Sequence, residues 1–220
     1  MKRKTAEKRR PGSLRETRTI FFNGLFLKNP VLIGALGLYP VVAAGYNLRM
    51  AVQLSLLMLF ISLPTGVIFC LVGEFLPGWL RPGAVLAVSA ACYLPAAWLV
   101  NQLFPGSLNT MGIFAGLMIC NSMVLSRCND YAPAHLLRAV LADILGCVLG
   151  YSLVLCAVAC LREYLQRGSV WNGSTGLYIP ADRGTALPFF GFIVLGFLAA
   201  LVQGINLRRE KKSGREAPRT

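Results

Sequence analysis

Long apolar runs separated by short polar links make up most of this chain, and the runs predict membrane spans. Six are read, at 30–46, 50–72, 82–103, 108–125, 136–161 and 186–207. The second, third, fifth and sixth are long enough to cross a hydrocarbon core about 30 Å thick, whereas the first and fourth are marginal. Proline falls inside the second (Pro64), third (Pro95) and sixth (Pro188) and predicts kinks or freed carbonyls there. Ahead of the first span, residues 20–27 read as a short interfacial helix containing Phe21, Phe22, Leu25 and Phe26.

The two marginal spans are not built to face lipid. The stretch 111–127 carries Gly112, Gly116, Asn121 and Ser122 and ends on Arg127, while 30–46 is interrupted by Gly34, Gly37, Pro40 and Gly45. Short, broken apolar segments at matching places in two halves predict an inverted-repeat protein whose site lies between them. The expected fold class is therefore an all-α membrane protein of six transmembrane helices. They form two inverted three-helix repeats, 30–103 and 108–207, with the first and fourth helices broken. A basic tail, 1–19, expected to be disordered, precedes this 20–207 membrane domain and a second basic tail, 208–220, follows it.

Composition agrees with that class: 55% of the 220 residues are hydrophobic, 14% are charged, and mean hydropathy is +0.60. A net charge of +13 alone would admit nucleic acid as a partner. The basic residues, however, crowd the two ends, beside apolar spans, where they set topology and face anionic lipid; a bilayer and not a nucleic acid is expected. With the N-terminus inside, the cytoplasmic set is both tails plus Lys28, Arg81, Arg127 and Arg138, against Arg49, Arg162, Arg167 and Arg183 outside. The imbalance predicts a multi-pass protein of the bacterial plasma membrane with both termini cytoplasmic and the loop 162–185 outside. No signal peptide is expected, because no small-residue cleavage site follows the first apolar run. In the outer loop Asn172-Gly173-Ser174-Thr175 reads as a plain turn.

Few residues can carry chemistry. Asp143 stands about 10 Å into the fifth span, where an ionisable group is costly and marks a functional site by default. A purely structural pairing with Arg138 or Arg127 explains it equally well, and both readings stay open. Cys120 is the cysteine beside a break, next to Asn121 and Ser122, yet one thiolate holds no cluster by itself. Cys147, Cys156 and Cys160 lie on an apolar span without histidine or carboxylate company, so no metal site is expected among them. His135, the single histidine, reads as a residue at the start of the fifth span. No nucleophile elbow, phosphate loop or dinucleotide fingerprint is present, and soluble-enzyme chemistry is not expected.

Several stretches resemble the Rnf/Nqr family of six-span subunits. They are residues 24–30 (Gly-Leu-Phe-Leu-Lys-Asn-Pro), 36–42 (Leu-Gly-Leu-Tyr-Pro-Val-Val), Met111-Gly112-Ile113-Phe114 running to Asn121 and Arg127, Asp143 with 149–153, and Leu161-Arg162-Glu163. Within the family the resemblance is to the RnfE/NqrD type of subunit. It implies a membrane subunit coupling electron flow from ferredoxin or NADH to sodium or proton export. It also implies an RnfA/NqrE-like homologous partner of inverted topology, and an iron–sulfur cluster whose four cysteines come two from each partner. The two family cysteine positions fall on Tyr39 and Ser122, and the family glutamate near Arg127 is replaced, with Asp130 adjacent. The cluster is therefore not expected to bind here in the family manner, Cys120 being the sole local thiol. Two functions remain: a divergent electron-transport subunit, or a cluster-free relative acting as a transporter or scaffold.

Overall fold

In the computed structural model, residues 14–27, 31–44, 47–167, 169–170, 173–174 and 188–216 are described. The first element, α1 (Leu14–Phe22), starts six residues before the apolar run and passes into a π-helical turn, Asn23–Leu27. It packs on the middle of a later long helix: a Cβ on Gly146 would collide with the Phe21 carbonyl, and one on Gly24 would stand 3.1 Å from the Cys147 nitrogen. Two glycines facing each other's helix let the backbones approach this closely. The basic residues before 14, the link containing Pro30 and the loop containing Trp171 and Asn172 lie outside the described residues.

The first broken segment is a run of turns ending in the π-helical stretch Pro40–Ala44. Next come α2 (Leu48–Val72) and α3 (Arg81–Leu103). Both continue through their prolines, Pro64 and Pro95, which are exposed and so do not disturb the packed face. The second broken segment divides into α4 (Ser107–Met111), α5 (Ile113–Leu117), a 3₁₀ turn Met118–Cys120, α6 (Ser122–Ser126) and a π-helical turn Arg127–Tyr131. Gly106 (φ 80°) and Gly112 (φ 52°) supply left-handed backbone at two of its joints. The long α7 (Leu137–Arg167) follows, then a two-residue antiparallel ribbon, Ser169–Val170 with Gly173–Ser174, and α8 (Pro188–Glu216). Pro188 opens α8 and does not kink it, as a residue without an amide proton can at a helix start.

Among the described residues, three helices are long and apolar enough to cross a membrane: α2, α3 and α7. In α8 the apolar stretch Phe189–Ile205 has 17 residues, about 26 Å, just short of a full crossing. The core lies where α2 runs antiparallel to α7, with Leu54, Met58, Ile61 and Phe69 on one side and Ile144, Val148, Leu155 and Val158 on the other, all buried. Gly66 removes the last obstacle, since any Cβ there would overlap Ile144. Large apolar side chains pointing away from that seam, such as Trp79, Leu94, Trp98, Ile113, Phe192 and Phe197, are exposed, as in a protein whose outer solvent is hydrocarbon.

Candidate functional site

The two broken segments meet. Gly37 is held at φ 68°, a conformation glycine reaches at little cost, and this turns its N–H outward. That N–H donates to the Ser122 hydroxyl at 2.9 Å, across 85 positions of sequence. A Cβ on Gly37 would stand 3.1 Å from Asn121 Oδ1 and 3.2 Å from the Tyr151 ring, so the backbone of the first segment lies directly against the break in the second and against α7. Asn121 is the pivot. Its backbone is extended (φ −67°, ψ 124°), it is fully buried, and its side-chain Oδ1 accepts from the Met123 N–H at 2.9 Å to cap α6.

Around this crossing the polar side chains are unevenly satisfied. Tyr39 lies within electrostatic reach of Cys120, and its hydroxyl approaches Asn121 without attaining hydrogen-bond geometry. Tyr151 is wholly buried, its hydroxyl also without a hydrogen-bond partner, and it lies within electrostatic reach of Tyr39 and Cys156. Cys120 is exposed. A continuous helix would place Cys120 about 200° around from Ser122. The extended Asn121 interrupts the helix between them, so that rotation does not apply across the break.

The donor set can therefore be judged against an iron–sulfur cluster. Such clusters take thiolates aimed at one point. The crossing offers one thiol, the two phenols of Tyr39 and Tyr151, and one hydroxyl whose oxygen already accepts from Gly37. Among the described residues no group of three or more histidine, cysteine or carboxylate side chains could hold a metal ion. The residues present do not fit the cluster in the family manner.

A second polar cluster lies at the other end of the bundle. Asp143, buried on α7, has its Oδ2 3.6 Å from Arg127 Nη1, an ion pair longer than a hydrogen bond. Its Oδ1 accepts from the Cys147 thiol at 3.9 Å. Of the two expected cations, Arg127 is thus the partner, while Arg138 is exposed. His135 closes the link into α7: its ring stacks on Tyr131 at 3.8 Å, and its Nδ1 lies 2.9 Å from the Tyr131 carbonyl, which can only accept, so Nδ1 carries the proton.

Two functional side chains lie elsewhere than the sequence suggests. Arg162 is expected as an outer-loop cation, but α7 continues past it and buries it: its Nη1 donates to the Val42 carbonyl at 2.7 Å. The neighbouring Glu163 accepts from the Leu48 N–H at 2.8 Å, placing a carboxylate on the first turn of α2, where negative charge is favoured. Together they clamp both sides of the link from the first broken segment to α2. The adjacent Arg-Glu pair at the end of an apolar run is the one signal in the sequence that could have found them.

Comparison with known proteins gives a consistent result. The family model described as "Rnf-Nqr subunit, membrane protein" matches residues 17–202. The chain is 29% identical over 209 residues to the E-type subunit of the ion-translocating oxidoreductase complex of Shewanella loihica, covering 89% of this chain and 90% of that protein. The proteins of the same name from Shewanella oneidensis and Shewanella baltica are 28% and 26% identical, with the same coverage.

Proposed function

This chain belongs to the Rnf-Nqr family of membrane subunits, and from that premise we propose its place in a working complex. It is an integral membrane subunit of an ion-translocating oxidoreductase complex. The complex couples electron flow from ferredoxin or NADH to export of sodium or protons across the bacterial plasma membrane. The observation that carries this is the extent of the family match, 17–202, which takes in both broken segments and the clamp on α7. The chain crosses the membrane six times as two inverted repeats, with both termini cytoplasmic. The concentration of basic residues at its ends and the contact between the two broken segments support that arrangement.

Broken segments leave backbone groups at membrane depth that lipid cannot satisfy, and protein must cover them. A homologous subunit of inverted topology, RnfA/NqrE-like, is the cover. Asp143 serves ion coupling, since a carboxylate takes up a cation or a proton and is no redox centre. Because the crossing offers oxygen donors where the family cluster needs sulfur, electrons pass by a route that does not use two thiolates from this chain. The same donor set keeps a second reading in view, a cluster-free relative acting as a transporter or scaffold on the same architecture.

The test is purification of the tagged chain from its native membranes. Co-purification of an inverted homologue together with ferredoxin- or NADH-oxidising subunits is expected. A stable, functional lone chain would contradict the proposal. In the purified complex, Asp143→Asn should lower ions transported per electron, and a fall in both quantities in proportion would remove Asp143 from ion coupling.

A further inference from the structure

Asp143, Cys147 and Tyr151 stand at intervals of four residues, one turn apart, and so share one face of α7. All three are buried. At one end is the Arg127 cluster; at the other Tyr151 lies against Gly37, within electrostatic reach of Tyr39 at the crossing of the broken segments. The stripe therefore joins the two polar sites, which are otherwise separated by about 12 Å of apolar helix packing. We propose that Asp143, Cys147 and Tyr151 carry a proton between the Arg127 end of the bundle and the crossing, and that the ion handled by this chain is a proton. The inference rests on the proposed function and deepens it.

The surroundings of Asp143 decide between the two cations. A hard metal cation takes several oxygen ligands closing around it. The groups facing Asp143 are instead Arg127 and Tyr131 from the π-helical turn, His135 from the link and Cys147 from α7 itself. The opposing stretch of α2 brings Gly66 and Phe69 and the Cys70 thiol, which donates to the His135 carbonyl. Phe21 and Gly24 seal the side towards α1. Arg127 stands 3.6 Å from one carboxylate oxygen, so a metal ion would sit beside a guanidinium with few oxygens to hold it. A proton meets neither obstacle: it neutralises the carboxylate and lets Arg127, which is partly exposed, turn to solvent.

Transfer along the stripe makes and breaks only O–H and S–H bonds. The Asp143 carboxyl gives its proton to the Cys147 sulfur as Cys147 releases its own towards Tyr151, the Tyr151 hydroxyl repeats the exchange towards Tyr39, and Tyr39 releases its own proton to water at the crossing; Asp143, left as a carboxylate beside Arg127, takes up the next proton from the Arg127 end. No electron moves, and Cys147, Tyr151 and Tyr39 each end neutral. The buried hydroxyls of Tyr151 and Tyr39 have no protein hydrogen-bond partner, and interior groups of that kind are generally served by ordered water, which bridges gaps longer than one hydrogen bond.

The experiment uses inside-out membrane vesicles carrying the complete complex, energised with reduced ferredoxin or NADH. Protons taken up per electron are read with a pH-sensitive dye, in sodium-free medium and in sodium medium with a protonophore. Uptake without sodium, abolished by the protonophore, is expected. Tyr151→Phe and Cys147→Val should each lower protons per electron at least about tenfold, the scale of losing a positioned proton donor and acceptor. Cys147→Ser, which keeps a relaying hydroxyl, should retain most of the uptake. Tyr151→Phe leaves the ring against Gly37, so assembly is preserved for the comparison. Absence of proton uptake in sodium-free medium, together with sodium-22 uptake that survives the protonophore, overturns the inference, as does an unchanged ratio in Tyr151→Phe. Natural vesicles that move no ion at all would overturn the proposed function itself.

Discussion

The two broken segments occupy matching places in the chain but are held in opposite ways. The second supplies its own fastenings: Asn121 caps α6 from within, and Gly106 and Gly112 turn the chain at its joints. The first is fastened at and beside its ends by distant groups. Ser122 takes the Gly37 N–H, Arg162 takes the Val42 carbonyl and Glu163 takes the Leu48 N–H, each from more than 80 positions away. A break in a membrane helix needs its freed backbone groups satisfied, and the source of the partners determines what else the break responds to. The second segment is locally determined. The first is a reader of α7 and of its counterpart, so movement of either is transmitted to it.

This contrast orders the expected losses. Arg162→Ala removes a buried cation and leaves the Val42 carbonyl without its donor; we expect about 3 kcal/mol of destabilisation, read as a lowered melting temperature of the detergent-solubilised protein. A variant that melts like the natural chain would show that the first segment does not depend on α7. Gly37→Ala forces a side chain into left-handed backbone and into contact with Asn121 and Tyr151, at a cost of about 2 kcal/mol. Here the sensitive readout is cross-linking between cysteines placed on the two segments, which should fall.

Ser122→Ala withdraws one hydrogen bond from the first segment, about 1 kcal/mol, and should raise amide exchange at Gly37. Asn121→Ala, about 1 kcal/mol or less, should loosen α6 while leaving the first segment protected, because that cap is local. If Asn121→Ala instead loosened 31–44 as much as Ser122→Ala does, the two segments would share one fastening and the contrast would vanish.

The breaks themselves are legible in the sequence, because a helix facing lipid has little use for glycine, proline and asparagine gathered inside one short apolar run. The pairing of Asp143 with Arg127 is among the alternatives the sequence raises. The clamp is not legible there. Arg162 and Glu163 follow an apolar run and look like the start of a loop, and only the partner carbonyl and amide, far away in sequence, show that they belong to the interior. The start of α1 at Leu14 escapes sequence reading for a related reason. Its first turn is polar and is held by continuity with Phe21 and Gly24, which lie on the Gly146–Cys147 backbone.

We propose that the family scaffold is kept while the crossing of the broken segments no longer supplies cluster thiolates, Tyr39 and Ser122 standing where the resemblance places the family's cysteines. Electron paramagnetic resonance of the reduced complex, purified with its natural inverted partner, tests this most directly. The natural chain should give no iron–sulfur signal assignable to the subunit interface, and a Tyr39→Cys/Ser122→Cys chain should gain one. An interface signal of equal strength in the natural complex, lost on Cys120→Ala, would contradict the account and make Cys120 a ligand.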